Sequence, residues 1–529
     1  MFFPINATEY LLYGKNADQL ALRFLERDCS YGELRAAAAE AARQLIENGG
    51  QPGDRILLIS ENSLFWVAAY LGSLWAGLVC VPLPTSVSGQ DLDRILESTE
   101  AKIACVQKPF AARSADHLGH IRVLTDEELL QAKPSSLPNS RHAGGSAADD
   151  GLLPCPQAQG DELAALMYTS GSSGRPRGVK VSHANLVANT ESIIQYLQLT
   201  AQDRMMVVLP FHYCFGASLL HTHLRVGGSL VVDPRFRYPE AVLQRMAETE
   251  CTGFAGVPSH FQILLRSSTL RKKAFPSLRL VQQAGGCLSP TLVRELQQAL
   301  AGAHVFVMYG QTEATSRLSY LPPEYLDTKP GSIGRGIPGV TLRVLDEAGN
   351  EVEPGAVGEI VAQGANVTHG YWRDAEESAA VFRQGRLYTG DLATVDAEGF
   401  VYIVGRSRDF LKLGGERVSC RRLEDTLLEF DGLLEAAVAG APDDVLGEAV
   451  WAFVVAHEGN CTGSCAWRAC REIRERLQVF CKEHLPAHQC PKQVVMLESL
   501  PKNAAGKVLK TKLQELSKSE EDGDGKRER

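Results

Sequence analysis

The densest chemistry in the chain lies in Tyr168-Thr-Ser-Gly-Ser-Ser-Gly-Arg-Pro-Arg-Gly-Val-Lys180. Gly171, Gly174 and Gly178 let backbone N–H groups turn toward a ligand with no Cβ in the way, and the hydroxyls of Thr169, Ser170, Ser172 and Ser173 add donors. Arg175 and Arg177 supply fixed positive charge of the shape that suits phosphate oxygens. The stretch therefore reads as an anion-binding loop. It is not a Walker loop, because no Gly-Lys-Ser/Thr follows its second glycine and no long helix starts there. A solvated Gly/Ser linker is the competing reading, but apolar runs at Leu163 to Tyr168 and Val179 to Val181 flank the loop as buried strands would.

Other stretches carry chemistry in the same chain order. Pro210-Phe-His-Tyr-Cys-Phe-Gly216 follows an apolar run and offers His212 and Cys214, while Pro258-Ser-His260 and Ala284-Gly-Gly-Cys287 each follow a short apolar run. Gly310-Gln-Thr-Glu313 places a hydroxyl beside a carboxylate directly after the apolar His304 to Tyr309. Leu387-Tyr-Thr-Gly-Asp391 presents a carboxylate at what reads as a tight turn, and Leu500-Pro-Lys-Asn-Ala-Ala-Gly-Lys507 ends in a lysine. Singly, each has a plain structural reading: a satisfied histidine, ordinary strand-to-helix turns, a surface glutamate, a turn-forming aspartate, a solvated lysine.

Taken together and in this order, the stretches resemble the signatures of the acyl-adenylate-forming, or AMP-binding, superfamily of acyl-CoA synthetases, peptide-synthetase adenylation domains and luciferases. The resemblance runs from about Thr8 to Leu516. It implies that Thr169, Ser170, Gly171, Ser172, Ser173 and Gly174 cradle ATP phosphates with Arg177, which stands where the family usually has lysine. Gly285, Gly286 and Cys287 would lie against adenine, Tyr309 would stack on it beside Gly310 and Gln311, and Asp391 with Arg406 would hold the ribose. Thr312 would contact the α-phosphate, and Glu313 would hold Mg²⁺, which needs only one protein carboxylate when phosphate oxygens supply the rest. His212 would gate the acyl pocket, lined also by Cys214, Ser218, Ser259 and Gly285, and Lys507 would neutralise charge at the reacting phosphorus. Arg408 would be the hinge of a rotating lid, and Gly414, Gly415 and Arg417 would line a tunnel for a phosphopantetheine thiol.

The elements that must position these residues follow a β-α-β rhythm. A helical pattern through Leu34, Ala38, Ala41 and Leu45 ends at Gly49-Gly50, and Arg55 to Ser60 reads as a strand. A second helix spans roughly Ser63 to Trp75, and Gly77 to Pro82 reads as the next strand. Ser182 is a helix N-cap for the segment carrying Leu186, Ile193 and Leu197. Further strands are expected at Met205 to Leu209, Gly253 to Val257 and Leu278 to Gln282. Such alternation predicts an α/β protein: a large N-terminal domain (1–404) of layered sheets with flanking helices and a β subdomain, a hinge at 405–409, a small mobile α+β domain at 410–516, and a disordered tail at 517–529.

Composition sets outer limits. A chain of 529 residues exceeds one hydrophobic core, and 44% apolar with 22% charged residues is ordinary for a globular protein. A net charge of −9 argues against a dedicated nucleic-acid binder. The first residues lack a basic start and an apolar core, no apolar run is long enough to span a membrane, and 13 scattered cysteines suit a reducing compartment, so the cytoplasm is expected. Cys461, Cys465, Cys470, Cys481, His484, His488 and Cys490 are dense enough to raise zinc, but paired C-x-x-C knuckles are missing and Cys470 and Cys481 fit a helix interior.

The resemblance implies an ATP-dependent carboxylic acid ligase that forms acyl-AMP and pyrophosphate and passes the acyl group to CoA or to the phosphopantetheine of a carrier protein. An amide-forming ligase that delivers to an amine is the first alternative, separated by whether the loop around Gly415 admits a thiol. A non-catalytic nucleotide-binding relative is the second, and the presence of Lys507, Glu313 and Asp391 speaks against it. No aspartate follows Phe215 to hold an α-amine, so a compact cyclic, aromatic or short acyl acid is expected in place of an amino acid.

Overall fold

A computed structural model describes residues 6–130, 160–170, 176–406, 410–413, 416–443, 447–456, 466–502, 508–510 and 512–516. Two sheets form the body. One has nine strands, of which Leu20–Arg23, Ser229–Val232, Arg204–Val207, Gly253–Gly256, Leu280–Gln283 and His304–Tyr309 run parallel in that spatial order. The other has six, with the parallel strands Arg122–Leu124, Ile103–Val106, Arg55–Ile59, Val79–Leu83 and Leu163–Ser170, closed by Pro176–Ser182 running antiparallel.

Alternating side chains explain why both faces of these strands are covered. Ile56 and Leu58 join the core shared with the nine-stranded sheet, whereas Leu57 and Ile59 join a second core on the opposite face. The helix Leu64–Trp75 lies within the shared core and buries every residue after its first. Its length of apolar sequence is thus a buried helix wrapped on all sides, and Ser63 caps it by accepting from the Trp66 amide. Ser182 caps His183–Leu197 as expected, and Asn185 returns the bond to the Ser182 amide.

A five-stranded antiparallel sheet, Val340–Leu345, Gly358–Gly364, Phe382–Arg383, Arg386–Val395 and Val401–Arg406, forms the β subdomain. The C-terminal unit has its own five-stranded sheet, with the helices Cys420–Leu428 and Ala466–His484 and separate cores. The β subdomain and the C-terminal unit both agree with the expected α/β plan.

One expectation changes, that for Asp391. The strands expected on either side of the phosphate loop form one antiparallel hairpin, with Thr169 opposite Arg177. Asp391 is not at a tight turn but inside Arg386–Val395, where the pairing with both neighbouring strands shifts register. Gly405 and Arg406, at the start of the expected hinge, close the last strand of the β subdomain. Among the described residues no helix is long and apolar enough to cross a membrane, and no cluster of three or more His, Cys, Asp or Glu forms a metal site. Cys481 is buried in the helix Ala466–His484, and the Cys490 thiol donates to the Cys481 carbonyl; Cys461 and Cys465 lie outside the described residues.

Candidate active site

The candidate site gathers where the parallel strands of the large sheet end, the usual place for ligands in open α/β sheets. Of the phosphate loop, Thr169 and the backbone of Ser170 are described, while Gly171, Ser172, Ser173 and Gly174 lie outside the described residues. The hairpin stem beneath the loop is clamped on both sides. Trp372 N donates to the Gly178 carbonyl at 2.7 Å, Lys180 N to the Gly370 carbonyl at 3.0 Å, and the Tyr168 hydroxyl meets Ser98 Oγ at 2.8 Å.

Arg177 departs from expectation. Its Nη1 donates to Glu377 Oε1 at 2.6 Å, its Nε lies 3.6 Å from Asp374, and its guanidinium sits over the Tyr371 ring at 5.7 Å. The carboxylates of the short helix Ala375–Val381 and its cap therefore hold the charge that the sequence assigned to phosphate. Tyr371 carries the connection onward, because its hydroxyl donates to Glu313 Oε1 at 2.9 Å. No sequence motif pointed to Tyr371, Asp374 or Glu377; the carboxylates Asp374 and Glu377 three residues apart were the one available signal.

Thr312 and Glu313 open a one-turn 3₁₀ segment directly after His304–Tyr309. Gly310 is required there by packing, since a Cβ would meet the Ser316 carbonyl oxygen at 2.0 Å. Thr312 Oγ1 contacts Cys214 Sγ at 3.5 Å. No donor among the described residues reaches the second oxygen of Glu313, so the carboxylate keeps a free hard ligand, as a Mg²⁺ site shared with phosphates needs.

Asp391 is 5% exposed, and each of its carboxylate oxygens accepts one hydrogen bond. Its Oδ2 accepts from the Tyr309 hydroxyl at 2.6 Å and its Oδ1 from Arg406 Nε at 2.9 Å. Three residues that lie 82 and 15 positions apart along the chain are thereby fixed as one unit. The attraction of Asp391 keeps the Arg406 guanidinium firmly protonated, and burial holds the Tyr309 hydroxyl neutral. Gly285, at φ +83°, and Gly286 pack beside Val257 and Pro258, and Cys287 lies next to Arg421 of the C-terminal helix Cys420–Leu428.

A narrow cavity is lined by Cys214, Ser218 and His221 from the helix Cys214–Val226, Asn189 from His183–Leu197, and Thr315 and Ser316. Of the residues expected at an acyl pocket it takes in Cys214 and Ser218, and not Ser259 or Gly285, which follow other strands, nor His212, which precedes the helix Cys214–Val226. His212 has an unpartnered, solvent-sealed Nε2, and burial lowers its pKa to about 4; His260 has a sealed Nδ1 and the same shift, with the Lys502 charge adding to burial. Two neutral imidazoles thus stand near the site, and His260 was quoted in the sequence only as part of a turn.

Lys507, Arg408, Gly414 and Gly415 lie outside the described residues, and Arg417 is described only as backbone of Glu416–Ser419. The C-terminal unit is nevertheless joined to the body, since Ser419 Oγ donates to the Val404 carbonyl at 2.6 Å.

Comparison with known proteins gives two family matches: AMP-binding enzyme over residues 13–372 and AMP-binding enzyme C-terminal domain over residues 422–507. Feruloyl-CoA synthase from Amycolatopsis sp is 31% identical over 485 residues, covering 91% of this chain and 92% of that protein. The crystal structure of ATP-bound MatB from Rhodopseudomonas palustris superposes with a TM-score of 0.83 at 31% identity, covering 97% of this chain and 99% of that one. The o-succinylbenzoate CoA synthetase of Bacillus subtilis, solved with its acyl-adenylate intermediate, gives a TM-score of 0.82 at 28% identity over 96% of this chain and 98% of that one; it is also solved with ATP and a magnesium ion.

Proposed function

This chain belongs to the AMP-binding enzyme family and is an AMP-forming acid–thiol ligase, and from that premise we propose how its own residues divide the work. The overall reaction converts a carboxylic acid and Mg·ATP to acyl-AMP and pyrophosphate, then transfers the acyl group to CoA. In the first half, a carboxylate oxygen forms a bond to the α-phosphorus while the bond to pyrophosphate breaks. In the second, a thiol sulfur takes the acyl carbon, loses its proton and releases AMP.

The observation that carries the site assignment is the Tyr309–Asp391–Arg406 unit, a carboxylate pre-oriented by two donors with lone pairs left for ribose hydroxyls. We assign adenine to Tyr309 and the Gly285-Gly286-Cys287 turn, the phosphates to residues 169–174, and the α-phosphate to Thr312. Mg²⁺ held by the free oxygen of Glu313 would offset charge on the phosphates. Arg177 acts as a positioning residue that ties the loop stem to Glu377. Lys507 serves the first half-reaction, a lid rotating at Arg408 serves the second, and the loop of Gly414, Gly415 and Arg417 admits the thiol. The domain limits 1–404, 405–409 and 410–516 belong to the same reading. So do a carrier-bound phosphopantetheine as a second acceptor and a reducing, cytoplasmic setting, the latter in keeping with the free thiols of Cys29, Cys80, Cys105, Cys214, Cys251, Cys287, Cys420, Cys481 and Cys490.

The test is carboxylate-dependent exchange of pyrophosphate into ATP over aromatic, alicyclic, short, fatty and amino acids, followed by CoA, holo-carrier protein and amines offered to the acyl-AMP. Exchange with a compact or aromatic acid and a CoA thioester as product is expected. Amide as the sole product would replace the acceptor, and a folded, ATP-binding protein silent to every acid would remove the ligase reading.

A further inference from the structure

Arg317 is 1% exposed, among the largest side chains the fold buries completely. Its Nη1 donates to Ser316 Oγ at 2.7 Å, while Nε and Nη2 are sealed from solvent and have no acceptor among the described residues. The guanidinium lies 4.0 Å from the centre of the Phe215 ring, which offsets some lost hydration but leaves the in-plane N–H groups unused. Burial opposes its charge; among the described residues no carboxylate stands beside it, and the groups that favour the charge are the Tyr196 hydroxyl, which also comes within hydrogen-bonding reach, and the Cys214 thiol. A buried guanidinium without a counter-ion is costly to the fold.

The same segment walls the cavity. Ser316, the acceptor for Arg317, lines it together with Thr315, Cys214 and Ser218. Cys214 in turn touches Thr312, so the wall runs from the group assigned to the α-phosphate to the group backed by the buried cation. Arg317 favours the ionised form of Cys214, so its field reaches a wall atom.

Resting on the ligase reading above, we propose that the acid substrate carries a second anionic group. It is a compact dicarboxylate whose reacting carboxylate meets Thr312 and whose other carboxylate is drawn to the Ser316–Arg317 end. Because Ser316 Oγ accepts from Arg317, its own O–H is left to donate to that carboxylate, and Arg317 acts as a specificity-determining residue that supplies the charge behind it.

Pyrophosphate exchange with size-matched pairs tests this: butyrate against succinate, hexanoate against adipate, benzoate against isophthalate. At least one dicarboxylate should exceed its partner at least tenfold in kcat/KM. Arg317→Met should erase that preference mainly through KM while leaving Tm equal or higher, and Arg317→Lys should retain part of it. Monocarboxylates equal or better in every pair would overturn the inference and leave the ligase standing. So would an Arg317→Met protein that loses Tm and loses activity on both members of a pair alike, which is the signature of a purely structural arginine. Silence toward all acids removes the ligase reading and this inference with it.

Discussion

Both carboxylate oxygens of Asp391 are bonded within the protein before any nucleotide arrives, which freezes the rotamer a ribose would need. Tyr309→Phe deletes one of the two donors; a hydrogen bond to a charged group is worth about 1.5–3 kcal/mol, so AMP binding measured by calorimetry should weaken roughly tenfold or more. An unchanged affinity would detach Tyr309 from the nucleotide. Arg177 gives a second residue-scale prediction. If its guanidinium positions the loop stem through Glu377, Glu377→Gln should reproduce part of the adenylation loss of Arg177→Ala, with a coupling of about 1 kcal/mol in a double-mutant cycle of Tm-derived stabilities. A neutral Glu377→Gln beside a crippled Arg177→Ala would return the guanidinium to the phosphates.

At the scale of elements, the helix Cys214–Val226 matters most, because it lines the cavity and carries two buried imidazoles. His221 bonds the Tyr70 hydroxyl at 2.9 Å and His223 Nδ1 bonds the Leu219 carbonyl at 2.9 Å, and burial lowers both pKa values to about 4, as it does for His183. Above pH 6.5 these rings are neutral in folded and unfolded chains alike. Between 6.5 and about 4 the unfolded chain takes up protons that the folded chain refuses, so stability falls as pH falls, by about 1.4 kcal/mol per pH unit for each such ring. Melting temperature recorded from pH 7.5 to 4.5 should drop steeply below 6.5, and His221→Gln should flatten the slope. A Tm independent of pH over that range would mean the rings are protonated in place.

At the scale of the whole molecule, the two half-reactions should separate by mutation. Lys507→Ala should depress acyl-AMP formation by about two orders of magnitude or more while preformed acyl-AMP still reacts with CoA, as expected when one charge-stabilising group is lost; Gly415→Leu should do the reverse. Equal loss in both halves for either variant would break the link between the lid and the division of labour. How far the chain reveals this beforehand differs by feature. Local chemistry was legible: Ser182 caps its helix, Arg55 to Ile59 forms a strand, and Gly310-Gln-Thr-Glu313 follows a strand, because caps, apolar runs and short motifs depend on near neighbours. Strand register was not, and Asp391, expected at a turn, lies inside a strand whose pairing is irregular. The layered α/β plan and the family of chemistry could be read from the residues alone. The fold was needed to show that Glu377 holds Arg177, that Tyr309 and Arg406 share Asp391, and that Arg317 lies buried with no carboxylate beside it among the described residues. Those pairings join residues up to 200 positions apart, and nothing in the spacing of one partner specifies where the fold will bring the other.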